Sequence, residues 1–136
     1  MWQLTSPAGR YEITLSEREA FNSHWVHTPT LVDKHTGETL LALGSSWSLD
    51  ESAWQSDSIV ALTVRKYPGN HSPPDVVAMI DCDGRTAQVG EGAPVSLAEL
   101  ERRLDAALSW IHAQPRPAAG ARTGLIGVLR RLFEKL

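Results

Sequence analysis

The 136-residue sequence predicts an α+β fold: a mostly antiparallel β-sheet built from hairpins, one capped helix packed on it, and a C-terminal amphipathic helix. Three observations carry that expectation. Short alternating apolar segments are separated by Gly, Pro and Asp turn signals, which is the pattern of hairpin-linked strands with one face buried. A leucine stripe follows them at helical spacing, Leu97, Leu100, Leu104, Leu108 and Ile111, with steps of 3, 4, 4 and 3 residues. Charge is divided along the chain: residues 1–112 carry 8 Lys+Arg against 15 Asp+Glu, and residues 113–136 carry 5 against 1. An acidic body thus precedes a small basic tail.

Taken in order, Trp2–Thr5 and Tyr11–Leu15 flank Ser6-Pro7-Ala8-Gly9 and read as a first hairpin, with Tyr11, Ile13 and Leu15 on one side. Ser16-Glu17-Arg18-Glu19 fits a capping box, in which a Ser and a Glu three residues on satisfy each other's free amides. One helical turn up to Phe21 is expected there. Thr30–Asp33 and Glu38–Leu43 enclose Lys34-His35-Thr36-Gly37, and Gly37 supplies the positive φ of a tight connection. This is the second hairpin. Ile59–Tyr67 is a strand with Val60, Leu62 and Val64 facing a core, ended by Pro68-Gly69. Val76–Ile80 pairs with Thr86–Val89 through Asp81-Cys82-Asp83-Gly84 as the third hairpin. Ser96-Leu97-Ala98-Glu99 repeats the capping-box pattern ahead of the leucine stripe.

The organisation expected is an acidic body over 1–113, a Pro/Gly/Ala-rich linker over 114–124 and a basic amphipathic helix over 125–136. In that last segment Leu125, Ile126, Leu129, Leu132, Phe133 and Leu136 share a face, with Arg130, Arg131 and Lys135 around it. Leu125, Leu129, Leu132 and Phe133 are its candidate contact residues. Three roles are open to it: folding back on its own body, docking on a partner or a second copy, and lying on an anionic membrane surface. The small basic count makes peripheral membrane contact the least favoured.

Composition narrows the function classes. The net charge of −3 opposes general nucleic-acid binding, which needs a basic footprint on the body. No apolar stretch approaches the roughly 20 residues that span a bilayer. The single cysteine, Cys82, cannot form an internal bridge, and Met1–Ser6 lacks the basic start and apolar run of a signal peptide, so a cytoplasmic location is expected. Nor does a catalytic motif emerge. Cys82 sits between two acids that oppose thiolate formation. His24 and His27 are three apart but have no further ligands at metal-site spacing. Asp81, Asp83 and Gly84 resemble the start of a calcium loop but lack its later ligands, and a hairpin turn accounts for them. Gly37, Gly44 and Gly69 are isolated, so no phosphate loop or serine elbow is present. An enzyme would require scattered residues such as His24, His71 and Asp81. No metal and no cofactor is expected.

The remaining constellation is Trp47-Ser48-Leu49-Asp50-Glu51-Ser52-Ala53-Trp54-Gln55-Ser56-Asp57-Ser58. Asp50, Glu51 and Asp57 offer charge, and Trp47 and Trp54 offer large apolar area, a combination able to grip a basic protein partner. The competing interpretation is structural: both tryptophans plug the end of the sheet while the acids cap turns. Trp47-Ser48-Leu49-Asp50, Trp54, the strand end Arg65-Lys66-Tyr67-Pro68-Gly69 and the capped helix resemble small bacterial immunity proteins of polymorphic toxin systems, over roughly residues 20–112. The resemblance brings no set of binding residues with it, and the basic tail departs from it. It implies a protein that binds a cognate toxin and occludes its active site or locks its conformation. The alternative function is a small structural or assembly adaptor whose C-terminal helix docks on a larger complex or a second copy.

Overall fold

A computed structural model describes residues 1–20 and 24–111, and these form mostly antiparallel β-sheet with one α-helix. The expected linker at 114–124 and helix at 125–136 lie outside the described residues, as does Phe21. The first sheet contains β1 (Tyr11–Glu19), β2 (Trp25–Asp33) and β3 (Glu38–Ala42) in that order. The second contains β4 (Trp47–Trp54), β5 (Ile59–Lys66), β7 (Val76–Asp81), β8 (Thr86–Val89) and β9 (Val95–Ser96), also in that order. A two-stranded pairing joins β6 (His71–Ser72) to β10 (Ser109–Trp110), and the helix α1 spans Leu97–Ala106.

Strand alternation explains where the core sits. Ile13 and Leu31 project from the first sheet, and Leu49, Leu62, Val64 and Ile80 from the second, into one cluster that also receives Leu97, Leu100 and Leu104 of α1. All are essentially inaccessible to solvent. The sheets meet along β2 and β4, where the His27 N–H donates to Ser48 Oγ (3.0 Å) and Thr28 Oγ1 donates to the Trp47 carbonyl (2.9 Å). The helix α1 lies on this inner side against β3, β7, β8 and β9, and among the described residues none covers the outward face of the five-stranded sheet.

The second and third hairpins form as the sequence predicts. Gly37 takes φ +77° between β2 and β3, and the turn from Asp81 to Arg85 joins β7 to β8. The first hairpin forms in part. Thr5 bridges Glu12 and the Ser6 N–H donates to the Tyr11 carbonyl (2.9 Å), but Trp2 runs parallel to Ser52 and so shields the edge of β4.

Three expectations are corrected. Ser16–Glu19 is the end of β1 and not a helical turn: Ser16, Glu17, Arg18 and Glu19 face Thr28, His27, Val26 and Trp25 in register. A four-residue capping signal yields there to continuous pairing with β2, which satisfies the same amides. Ser96 does precede α1, yet its side chain makes no cap hydrogen bond; it belongs to β9, and the Leu97 N–H donates instead to the Arg85 carbonyl (3.2 Å). Finally, α1 stops at Ala106, so Leu108 reaches the core from a turn and Ile111 is exposed.

Candidate functional site

Residues 47–54 form a strand, and strand geometry decides which of the sequence-predicted side chains meet a partner. The register passes from Leu49 opposite Val64 to Glu51 opposite Thr63, which leaves Asp50 as an extra, bulged residue. A bulge turns the strand locally, and here it sends two successive acids to the outward side. Asp50 lies 3.2 Å from Arg65 Nε, while Glu51 is exposed. Partial burial holds the Asp50 carboxyl above its ordinary range, with Arg65 pulling it down and Asp75 pushing it further up. Asp50, Glu51 and Asp75 thus frame one end of the outward face.

The two tryptophans sit elsewhere. Trp47 is 0% exposed, in the core, with Lys66 Nζ 5.4 Å from its ring centroid, so no partner reaches it in this conformation. Trp54 is half-buried, stacked on Tyr11 at 6.4 Å, and its Nε1–H donates to the Gln3 carbonyl (2.9 Å). Both act on the fold's side of the structural interpretation, whereas the acids do not cap turns as that interpretation assumed. Asp50 and Glu51 stand on β4. Asp57 alone lies exposed in the turn before β5, where the neighbouring Ser56 Oγ accepts the Ile59 N–H (3.1 Å).

The centre of the outward face is supplied by residues of the third hairpin. Val77 and Met79 of β7 are 45% and 41% exposed, flanked by Thr63 and Ala61 of β5 and by Gln88 of β8 in direct cross-strand register. A shallow groove of about 570 Å³ runs beside them between Pro73, Asp75 and Gly90. Met79 also borders a smaller depression whose rim includes Asp81 and Pro94. The signal was available in the sequence: Val76-Val77-Ala78-Met79-Ile80 is apolar without alternation, the pattern of a strand covered on both faces. Among the described residues only one of those faces is covered.

A second cleft, of about 200 Å³, is lined by His24, Trp25, Lys66, Tyr67 and Gly69 among others. Its cations are already engaged, Lys66 with Asp105 at 2.6 Å and Arg65 with Asp50. His71 is buried and serves the backbone. Its Nε2 accepts the Lys66 N–H (3.1 Å) and its Nδ1–H faces the Pro73 carbonyl (2.7 Å), which fixes the tautomer. Cys82 is buried, and burial first, then Asp83 and Asp81, pushes its thiol up to about 12. His24 lies edge-on to Tyr67, whereas His27 meets Trp2 and Glu17, so the two histidines do not converge. Among the described residues no group of His, Cys, Asp or Glu has metal-binding geometry, and no helix is long and apolar enough to cross a membrane.

Compared with protein-family models, curated proteins and solved structures, the chain matches none.

Proposed function

We propose that the chain is a protein-binding immunity protein that neutralises a cognate bacterial toxin by occluding its active site, and that it does so with the outward face of the five-stranded sheet. One observation carries the reading: Val76–Ile80 of β7 is apolar on both sides, and its outward pair, Val77 and Met79, is exposed among the described residues inside a frame of acids. An apolar centre with a charged, solvated rim is the anatomy of a specific interface. The sign of the rim selects the partner. A toxin domain acting on nucleic acid presents a basic cleft, and Glu51, Asp75 and Asp81 would draw such a surface in and then exclude its substrate.

The test is kinetic binding to the product of the adjacent gene at two ionic strengths, with circular dichroism of each variant. Glu51→Lys with Asp75→Lys is expected to slow association and flatten its salt dependence, because both charges are exposed and act before contact. Met79→Asp should instead speed dissociation by placing a charge at the apolar centre. Unchanged rates in both folded variants would remove this face as the interface. Failure of the wild type to bind the neighbouring product would put the adaptor reading first.

A further inference from the structure

Between the start of β2 and the end of β5 this acidic body holds a cleft whose described lining is aromatic and cationic and contains no carboxylate. We infer that the cleft binds a small aromatic phosphomonoester, a flat ring carrying one phosphate. It lies apart from Val77 and Met79, and its ligand is independent of whether the outward sheet face meets a toxin.

Local structure builds the site. Ser48 pairs with Arg65 and Trp47 with Lys66, so β5 ends beside the place where the His27 N–H of β2 reaches Ser48 Oγ on β4. The chain then turns sharply: the Gly69 N–H donates to the Lys66 carbonyl (2.8 Å), and Gly69 takes φ +94°, the left-handed region that glycine enters without strain. That turn sets Tyr67 and Pro68 on the wall of the cleft. Trp25 opens β2 opposite Glu19 and is 54% exposed, a large ring that the core does not claim. The enclosed space is about 200 Å³. At ~30 Å³ per water it has room for about seven of them. Drug-sized ligands need roughly 300–1,000 Å³, so the space suits one ring with one small charged group.

Charge sets the sign of that group. Residues 1–112 contain 8 Lys+Arg, and three of them gather here. Arg65 and Lys66 line the cleft, and Arg18 lies over the Tyr67 ring, 5.8 Å from its centroid. Arg65 Nε meets Asp50 at 3.2 Å and Lys66 Nζ meets Asp105 at 2.6 Å, but neither acid is part of the lining. Each pair occupies one donor of a group that has several, five N–H on a guanidinium and three on an ammonium. Partly exposed pairs of this kind are weak, so Asp50 and Asp105 orient the two cations from outside the cleft without cancelling them. Two such cations match the nearly double charge of a phosphomonoester, and a guanidinium can take two of its oxygens at once. Arg18 donates its Nε–H to the Ser45 carbonyl (3.2 Å) and not to a carboxylate, so its charge adds to the field. The rings select the rest of the ligand. Trp25 and Tyr67 offer flat apolar surface on which an aromatic group stacks, and free phosphate leaves that surface unused.

The test is a titration of the full chain with phenyl phosphate, followed by NMR at the Trp25 indole N–H and the Gly69 amide. Saturable shifts at both are expected, with a dissociation constant of about 1 mM for a ligand of so few atoms, weakening as salt is raised. Inorganic phosphate and benzyl alcohol each carry half of the recognition and should bind at least about tenfold more weakly. Benzylamine, a ring of opposite charge, should not compete. Arg65→Gln and Trp25→Ala should each weaken phenyl phosphate about tenfold, the second read at the Gly69 amide. Both side chains are exposed, so the circular dichroism of each variant should match the wild type. If Arg65→Gln does not fold, Trp25→Ala and the ligand series still decide. The inference is overturned by the absence of saturable shifts up to about 20 mM, roughly twentyfold above the expected constant. Wild-type affinity in the folded variants overturns it as well, and so does phosphate alone, or benzylamine, binding as tightly as phenyl phosphate. No toxin enters this experiment, so its failure leaves the reading of the outward face where it stands.

Discussion

Asp33 is 1% exposed and closes the end of β2 with two kinds of donor. Arg10 Nη2 lies 3.0 Å from it, and the His35 N–H donates to its carboxylate at 2.9 Å. The Arg10 hydrogen bond, more than any other contact, holds this carboxyl below the ordinary carboxylate range against the opposing effect of burial. A folded-state pKa below the unfolded one means that the contribution is present above the unfolded value, about 3.9, and is lost as pH falls through the folded value. Urea midpoints of the wild type should therefore drop as pH is lowered from 5 to 2. Asp33→Asn, less stable at pH 7, should lose far less over that window, and equal losses in the two proteins would show that acid sensitivity arises elsewhere. Asp50 has the opposite sign, being held above its ordinary range, so its protonation favours the fold and offsets part of the acid loss. Tyr11, pushed up to about 12 by burial and then by its hydrogen bond to Asp83, belongs to the alkaline side, and its contribution is lost as pH rises through that value. Cys82 yields a chemical check at the same scale. With its thiol buried and raised to about 12, iodoacetamide at pH 8 should alkylate native protein orders of magnitude more slowly than urea-unfolded protein, and comparable rates would place Cys82 at the surface.

At the scale of elements, α1 is held by its leucines and not by its N-terminal cap. Leu100 and Leu104 are fully buried, and the Ser96 side chain makes no cap bond. Leu104→Ala should cost about 2 to 5 kcal/mol by lost transfer energy and the cavity left behind, read from urea unfolding. Ser96→Ala should cost a small fraction of that, well below the ~1 kcal/mol typical of a working cap. A large Ser96 effect with a small Leu104 effect would reverse this account. The same contrast explains what was legible in the sequence. Hairpins with a Gly or Asp turn between alternating strands, as at Lys34–Gly37 and Asp81–Gly84, carry their pairing information locally. So does the leucine stripe as far as Leu104. Ser16–Glu19 reads as a helix start because a local capping pattern cannot reveal that β2 continues alongside it to Trp25. The strand β4 is not legible because Asp50 and Glu51 interrupt its alternation, and the bulge that accommodates them depends on β5. At the site, Asp50, Glu51 and Asp57 were identified from composition and two of them share the outward face. Trp47 reads as an anchor because ring size is visible in a sequence and burial is not. Val77 and Met79 lay in plain view, but which side of β7 stays open is decided by where α1 packs.

At the scale of the molecule, the described body already contains a closed core. Every residue of the buried cluster lies between Tyr11 and Leu108, and β10 pairs with β6 to seal the last turn. A chain ending after Gln114 would keep all of these contacts. It should unfold cooperatively, with a thermal midpoint within a few degrees of the full chain, since ~1 kcal/mol moves a protein of this size by about 4 °C. Removal also leaves the net charge of residues 1–112, with 8 Lys+Arg against 15 Asp+Glu, unopposed by the 5 cations and 1 acid of residues 113–136. On the proposed immunity reading, association with a basic toxin domain should then become faster and more salt-dependent, because the long-range attraction grows. Loss of cooperative unfolding on truncation would show that residues beyond Gln114 complete the core. Slower association by a folded, truncated chain would show that the tail itself contacts the partner.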